Sequence, residues 1–210
     1  LFTRKLEEVT DQFPDVITTI IEHTNLNNVI IDSEIVGFDT TTKKYKPFQE
    51  ISQRIKRKHN IKQLAKQLPV EINVFDILFD NKTILSTPFN QRRNIIEQRI
   101  PHLPLQIQPS QQQQVNTPQE ALQFFNKAIQ AGNEGIMIKA LQAPYQPGSR
   151  VGTMLKYKQI MEPLDVVITQ AIWGDGKRSQ WLTSFIVCVQ DNDQLVEIGK
   201  VSTGFKELDE

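Results

Sequence analysis

Two carboxylates lie two residues apart in Ile30-Ile31-Asp32-Ser33-Glu34-Ile35-Val36. On a strand, that spacing puts Asp32 and Glu34 on one face with Ile30 and Val36. An unpaired carboxylate on an apolar face is costly, so the pair needs a metal ion, a ligand's hydroxyls or open solvent. Met154-Leu155-Lys156-Tyr157-Lys158 repeats the pattern with the opposite sign, Lys156 and Lys158 facing away from Leu155 and Tyr157. Paired ammonium groups on a strand suit a polyphosphate or a nucleic-acid backbone, although for the pair alone a solvated face is the readier reading. Glu134 precedes Gly135, a residue that lets a backbone approach a ligand closely. Phe75 is either a core side chain or a stacking platform for a base. Arg54, Lys56, Arg57, Lys58 and His59 form a basic run that either meets phosphates or lines a wet helix.

The elements that must position these groups are legible from periodicity. Phe13, Val16, Ile17, Ile20 and Ile21 recur as on a helix, with Pro14 in its first turn. Residues 29–36 read as a β-branched strand, 39–46 as a hairpin turn, and 51–68 as a basic helical segment. A second strand over 71–79 ends at the Asp80-Asn81 turn, before a short helix over 91–99. Residues 105–119, with four consecutive glutamines from Gln111, have turn and low-complexity character. Pro118 then opens a helix, followed by strands over 135–140 and 154–158. After Met161-Glu162-Pro163 the texture changes to three strands over 164–173, 181–190 and 195–201. A domain boundary is expected near Pro163, with a small β unit after a mixed one.

Composition excludes several classes. The 210 residues carry 24 basic and 24 acidic side chains with 39% hydrophobic residues, an ordinary globular balance that rules out disorder, collagen and a disulfide scaffold. No apolar run nears the roughly 20 residues that cross a bilayer, and no signal-like segment opens the chain, so the expectation is a soluble intracellular protein. The three histidines lack metal-ligand spacing, and the single cysteine, Cys188, sits in an apolar run that suggests burial. Starting without Met and ending on Glu207-Leu208-Asp209-Glu210, the sequence is expected to be a piece of something longer.

The order of the short blocks is more specific than any one of them. Phe2-Thr3-Arg4-Lys5-Leu6-Glu7, Asp32-Ser33-Glu34-Ile35-Val36, Pro47-Phe48-Gln49, Asn73-Val74-Phe75-Asp76-Ile77-Leu78, Glu134-Gly135-Ile136-Met137-Ile138-Lys139, Pro147-Gly148-Ser149-Arg150 and Leu155-Lys156-Tyr157-Lys158 follow in sequence. In this the chain resembles the nucleotidyltransferase core of ATP-dependent DNA ligases of the archaeal and eukaryal replicative type. Leu164-Asp165-Val166-Val167-Ile168, Trp173-Gly174-Asp175-Gly176-Lys177-Arg178 and Gly199-Lys200-Val201-Ser202-Thr203-Gly204-Phe205 extend the resemblance into the start of that family's OB-fold domain.

The resemblance implies an α+β fold: an adenylation (nucleotidyltransferase) domain of ATP-grasp-like antiparallel sheets with helices over 1–161, lacking its N-terminal part, then the first strands of an OB-fold β-barrel over 162–210. It implies nick sealing through lysyl-AMP and DNA-adenylate intermediates, in DNA replication, repair and recombination, with ATP and Mg2+ or another divalent cation. Glu34 would contact nucleotide and metal, and Glu134 would supply the second metal carboxylate. Phe75 would stack on adenine, and Arg4 would lie near ribose and phosphate. Arg150 and Lys156 would bind nucleotide phosphates, with Lys158 assisting. Arg54, Lys56, Arg57, Lys58, Lys177 and Arg178 are candidates for DNA contact. Lys139 matches the family block too, but period-two counting puts it on the face opposite Glu134, which leaves it out of the core site.

Two departures stand against the match. The family's nucleophile lies in a Lys-x-Asp-Gly motif that this sequence lacks, so it is expected upstream of Leu1, and the fragment alone is expected not to adenylate itself. Met154 stands where relatives carry Trp. Nicked duplex DNA is the implied partner, with a sliding clamp reached through absent regions, a monomeric state, and a cytoplasmic or, in a eukaryote, nuclear location. The alternatives are an RNA ligase or capping-type nucleotidyltransferase, and a non-catalytic DNA-binding module.

Overall fold

The helix expected after Phe13 is α1, Pro14–His23, with Pro14 in the first turn, where no intrahelical donor is needed, and Val16 buried. The computed structural model describes residues 1–148, 152–159 and 163–202. They fall into two compact units, the first over Leu1–Gln159 and the second following it.

In the first unit, β1 (Val29–Gly37) pairs antiparallel with β2 (Val70–Asp80), and β2 pairs parallel with the short β3 (Ile107–Pro109). Ile72, Val74, Ile77 and Ile107 from this sheet join Phe13, Val16, Ile51 and Ile96 in one buried core. Periodicity missed β3, because three residues in a polar glutamine-rich stretch carry no alternation to detect. A buried carboxylate fixes it instead. Glu71 on β2 accepts from Tyr45 Oη at 2.6 Å, Asn73 Nδ2 at 2.9 Å, Gln108 Nε2 at 3.0 Å and the Leu105 backbone N–H. Four donors replace the water that Glu71 lost on burial, and they pin the loop that leads into β3. Burial, and then Glu71, push the Tyr45 hydroxyl up to about 12.

The basic segment expected as one helix is two, α2 (Phe48–Ile55) and α3 (Ile61–Gln67). They are separated at Lys56–Asn60, where Asn60 takes φ 55°. Arg54 corrects the expectation of DNA contact. Its side chain is 1% exposed, forks onto the Asp15 carboxylate, donates to Leu68 O at 3.0 Å and Gln12 O at 3.1 Å, and lies 4.3 Å from the Phe13 ring centroid. It therefore ties α1 to α2 and the α3 terminus, with no face left for a phosphate. Lys56, Arg57 and Lys58 are exposed.

The helix α4 (Phe89–Arg99) packs on β2, and α5 (Pro118–Gln130) begins at an N-cap where Thr117 accepts from the Glu120 N–H at 3.3 Å. A separate two-stranded sheet pairs β4 (Gly135–Lys139) antiparallel with β5 (Met154–Lys158), and Phe125 of α5 meets Tyr157 at 4.5 Å between ring centroids. The second unit is an antiparallel sheet of β6 (Val167–Trp173), β7 (Leu182–Asp191) and β8 (Gln194–Val201). Cys188 is buried on β7, as its apolar run suggests, with Sγ 3.3 Å from Thr169 Oγ1. Among the described residues, no helix is long and apolar enough to cross a membrane.

Candidate nucleotide-binding site

The strand that carries Asp32 and Glu34 does not alternate cleanly against its partner. Register shifts fall between Ile30 and Ile31 and between Asp32 and Ser33, and the second leaves Phe75 on β2 without a Cα partner on β1. A bulge of this kind re-aims a side chain. Phe75 is half-buried and lies outside the buried core cluster. Glu34 is exposed, whereas Asp32 is half-buried and accepts from Tyr145 Oη at 2.8 Å. Burial, and then Asp32, push that tyrosine up to about 12.

Register in the second sheet decides which lysines act together. Gly135 stands opposite Lys158, Met137 opposite Lys156, and Lys139 opposite Met154, so Lys139, Lys156 and Lys158 share one face. Glu134 lies just before β4, where Gly135 takes φ 157° and where any Cβ would come within 2.1 Å of Tyr157 O. The Glu134 carboxylate meets Lys158 Nζ at 3.0 Å. Period-two counting from Glu134 therefore misassigns Lys139, because the count starts one residue before the strand. The Lys158 and Lys156 ammonium groups hold the Glu134 carboxyl below its usual range, and Glu134 holds Lys158 above its own. Burial and the neighbouring Lys158 lower Lys156, while Glu134 and Glu34 pull it back up. Lys156 thus feels one carboxylate from each sheet.

Beneath these groups lies a charged network that the spacing of residues did not reveal. Asp76, wholly buried and paired in register with Asp32, receives Arg92 Nε at 2.7 Å and Nη2 at 3.2 Å, and Lys139 Nζ at 3.4 Å. Arg92 also donates to Thr87 O and, at 3.4 Å, to Ala143 O. The one available signal was Asp76 itself, an acid inside the apolar run Val74-Phe75-Asp76-Ile77-Leu78-Phe79.

Of the other expected residues, Arg4 is exposed on the turn at residues 3–7, and among the described residues its side chain joins no ion pair. Arg150 lies outside the described residues. Lys177 and Arg178 are exposed in the short 3-10 turn Gly176–Arg178 of the second unit. Among the described residues, no three His, Cys, Asp or Glu side chains are grouped to hold a metal ion. Glu34 and Glu134 are hard oxygen donors, of which a small divalent cation takes one or two while completing its shell with water and phosphate oxygens.

Residues 1–158 match the family model described as ATP dependent DNA ligase domain. The chain belongs to that family. Among curated relatives, this ligase domain is 46% identical to the DNA ligase of Nanoarchaeum equitans (strain Kin4-M), an alignment covering 100% of the chain and 38% of that protein. The chain thus spans under two-fifths of that relative's length. Among solved structures, the ligase domain from M. tuberculosis LigD aligns over 99% of this chain and 61% of its own, at 25% identity and TM-score 0.54. Chlorella virus DNA ligase-adenylate aligns over 99% and 73%, at 18% identity and TM-score 0.53. The fold class is therefore α+β, of the nucleotidyltransferase type with OB-like strands following.

Proposed function

We propose that the protein carrying this chain is an ATP-dependent DNA ligase that seals nicks in duplex DNA. The observation that carries the reading is the Glu134 carboxylate held at 3.0 Å by Lys158 on the sheet face that Lys156 shares, in a chain of this family. A carboxylate–ammonium arrangement of that kind neutralises and orients a transferring phosphoryl group, which is most of what such chemistry demands of a protein. A lysine nitrogen, supplied from outside this sequence, attacks the α-phosphate of ATP, forming a P–N bond as pyrophosphate leaves. The AMP then passes to the 5′-phosphate of the nick, and the 3′-hydroxyl displaces it.

In this reading Phe75 stacks on the adenine and Arg4 lies by ribose and phosphate. Lys156, Arg150 and Lys158 take phosphate oxygens. Glu34 and Glu134 hold the divalent cation, which supplies charge neutralisation when bound. Lys158 must then give up its 3.0 Å contact with Glu134. Residues 1–161 act as the adenylation domain and 162–210 as the beginning of an OB-fold domain. Lys56, Arg57, Lys58, Lys177 and Arg178 contact the DNA backbone; Arg54 is not among them. The enzyme works as an intracellular monomer in replication, repair and recombination, in cytoplasm or nucleus, with a sliding clamp as recruiting partner.

The test is sealing of a singly nicked duplex by the complete protein with ATP and magnesium, resolved on a denaturing gel. Ligated product that disappears without ATP supports the reading. Salt-sensitive DNA binding with no product would overturn it in favour of a non-catalytic module, and preference for GTP or for nicked RNA would move it to the capping or RNA-ligase class.

A further inference from the structure

Phe75 occupies the bulge of β2, so cross-strand pairing with β1 does not fix its ring. Another group does. Lys139 Nζ lies 5.0 Å from the Phe75 ring centroid and 4.6 Å from that of Phe89, and donates to the Phe75 carbonyl at 3.4 Å. The same ammonium is 3.4 Å from Asp76, whose carboxylate Arg92 holds from the other side. The side chain is 14% exposed, so solvent screens the contact only weakly. A cation against an aromatic face is attracted by the ring quadrupole and resists tilting of the ring.

We infer that Lys139, anchored by the buried Asp76–Arg92 pair, is a positioning residue that seats the bulged Phe75 ring for stacking of the nucleotide base. This rests on the ligase reading above, and adds to it a reason why the platform keeps its orientation outside the sheet's pairing. On the Phe75 ring, Asp76 and Arg92 act through Lys139. Their effect therefore falls on nucleotide affinity and leaves the rate of phosphoryl transfer in place.

Self-adenylation of the complete protein, followed with α-labelled ATP across ATP concentrations, tests the inference, with equilibrium ATP affinity measured in parallel. Lys139→Met is expected to raise the KM for ATP about three- to tenfold, the size of one partly buried cation–π contact, with kcat within about twofold. In a Phe75→Leu background the same change should add less than about twofold, because the ring it seats is gone. Asp76→Asn should reproduce the KM effect and lose it when Lys139 is already Met. Should Asp76→Asn fail to fold, the Lys139 and Phe75 cycle decides alone.

Penalties that multiply fully in the Lys139/Phe75 double variant would overturn the inference. So would a fall in kcat at unchanged KM. Wild-type protein that binds ATP without forming an adduct would strike the ligase reading, and the ATP affinities of the variants would then decide the positioning claim. Absence of ATP binding overturns both.

Discussion

Asp76 and Arg92 form a two-pronged ion pair, 2.7 and 3.2 Å, in which the carboxylate is fully buried and the guanidinium 3% exposed. The pair joins β2 to α4. Because the Arg92 guanidinium also takes the carbonyls of Thr87 and Ala143, it fixes the segment that delivers Tyr145 to Asp32 as well.

Removing one partner leaves the other charge buried without compensation, which is where the cost of such pairs lies. Arg92→Met is expected to destabilise the protein by about 3–5 kcal/mol in urea unfolding. Asp76→Leu combined with Arg92→Met and with Lys139→Met, which takes away the ammonium that loss of Asp76 would leave unpaired, should lose less than the sum of the three single changes. A triple variant as unstable as that sum would argue that packing, not the uncompensated charge, dominates.

Arg54 and its neighbours should separate cleanly. Arg54→Met breaks the buried contact with Asp15 and is expected to cost about 3 kcal/mol of stability, leaving the salt dependence of DNA affinity in the complete protein unchanged. Changing Lys56, Arg57 and Lys58 together to Gln should leave the melting temperature within a few degrees. It should flatten the slope of log affinity against log salt by up to about 3. A salt slope that responds to Arg54 would reverse the burial argument.

Tyr145 gives a pH dependence with a definite sign. Its folded pKa is raised from 10.0 to about 12, chiefly by burial and then by donation to Asp32. A raised pKa means the contribution is fully present below pH 10.0 and is lost as pH climbs towards 12. Melting temperature should therefore fall more steeply over that range in the wild type than in Tyr145→Phe, which keeps Lys139 and every other alkaline titration. Parallel curves for the two proteins would count against the Tyr145–Asp32 hydrogen bond.

Gly135→Ala is expected to cost about 1–3 kcal/mol, since its Cβ would sit 2.1 Å from Tyr157 O and only backbone movement relieves that overlap. The movement parts β4 from β5 beside Lys158. The variant should therefore also weaken ATP binding by the complete protein, while Gly132→Ala, with open space around it, should not alter ATP affinity.

Sequence by itself determined a great deal here. Residue type and spacing located α1, β1, β2, α4, α5 and β4 to β8 to within a few residues, because helical spacing, β-branched runs and turn residues are all local signals. The ordered blocks identified the family and named Glu34, Phe75, Glu134 and Lys156 as candidates. Tertiary structure alone decided what no local period encodes. The register shift between Asp32 and Ser33 left Phe75 without a partner on β1, and a bulge is visible only once the partner strand is known. Arg54 and Arg57 are both arginines in one basic run, yet one is buried on Asp15 and the other exposed, a difference set by α1 packing across from α2. Strand pairing put Lys139 on the face of Lys156, and burial then bound it to Asp76, a partner 63 residues away whose contact only folding could create. Charge compensation in a protein interior is a long-range constraint, and sequence patterns record short-range ones.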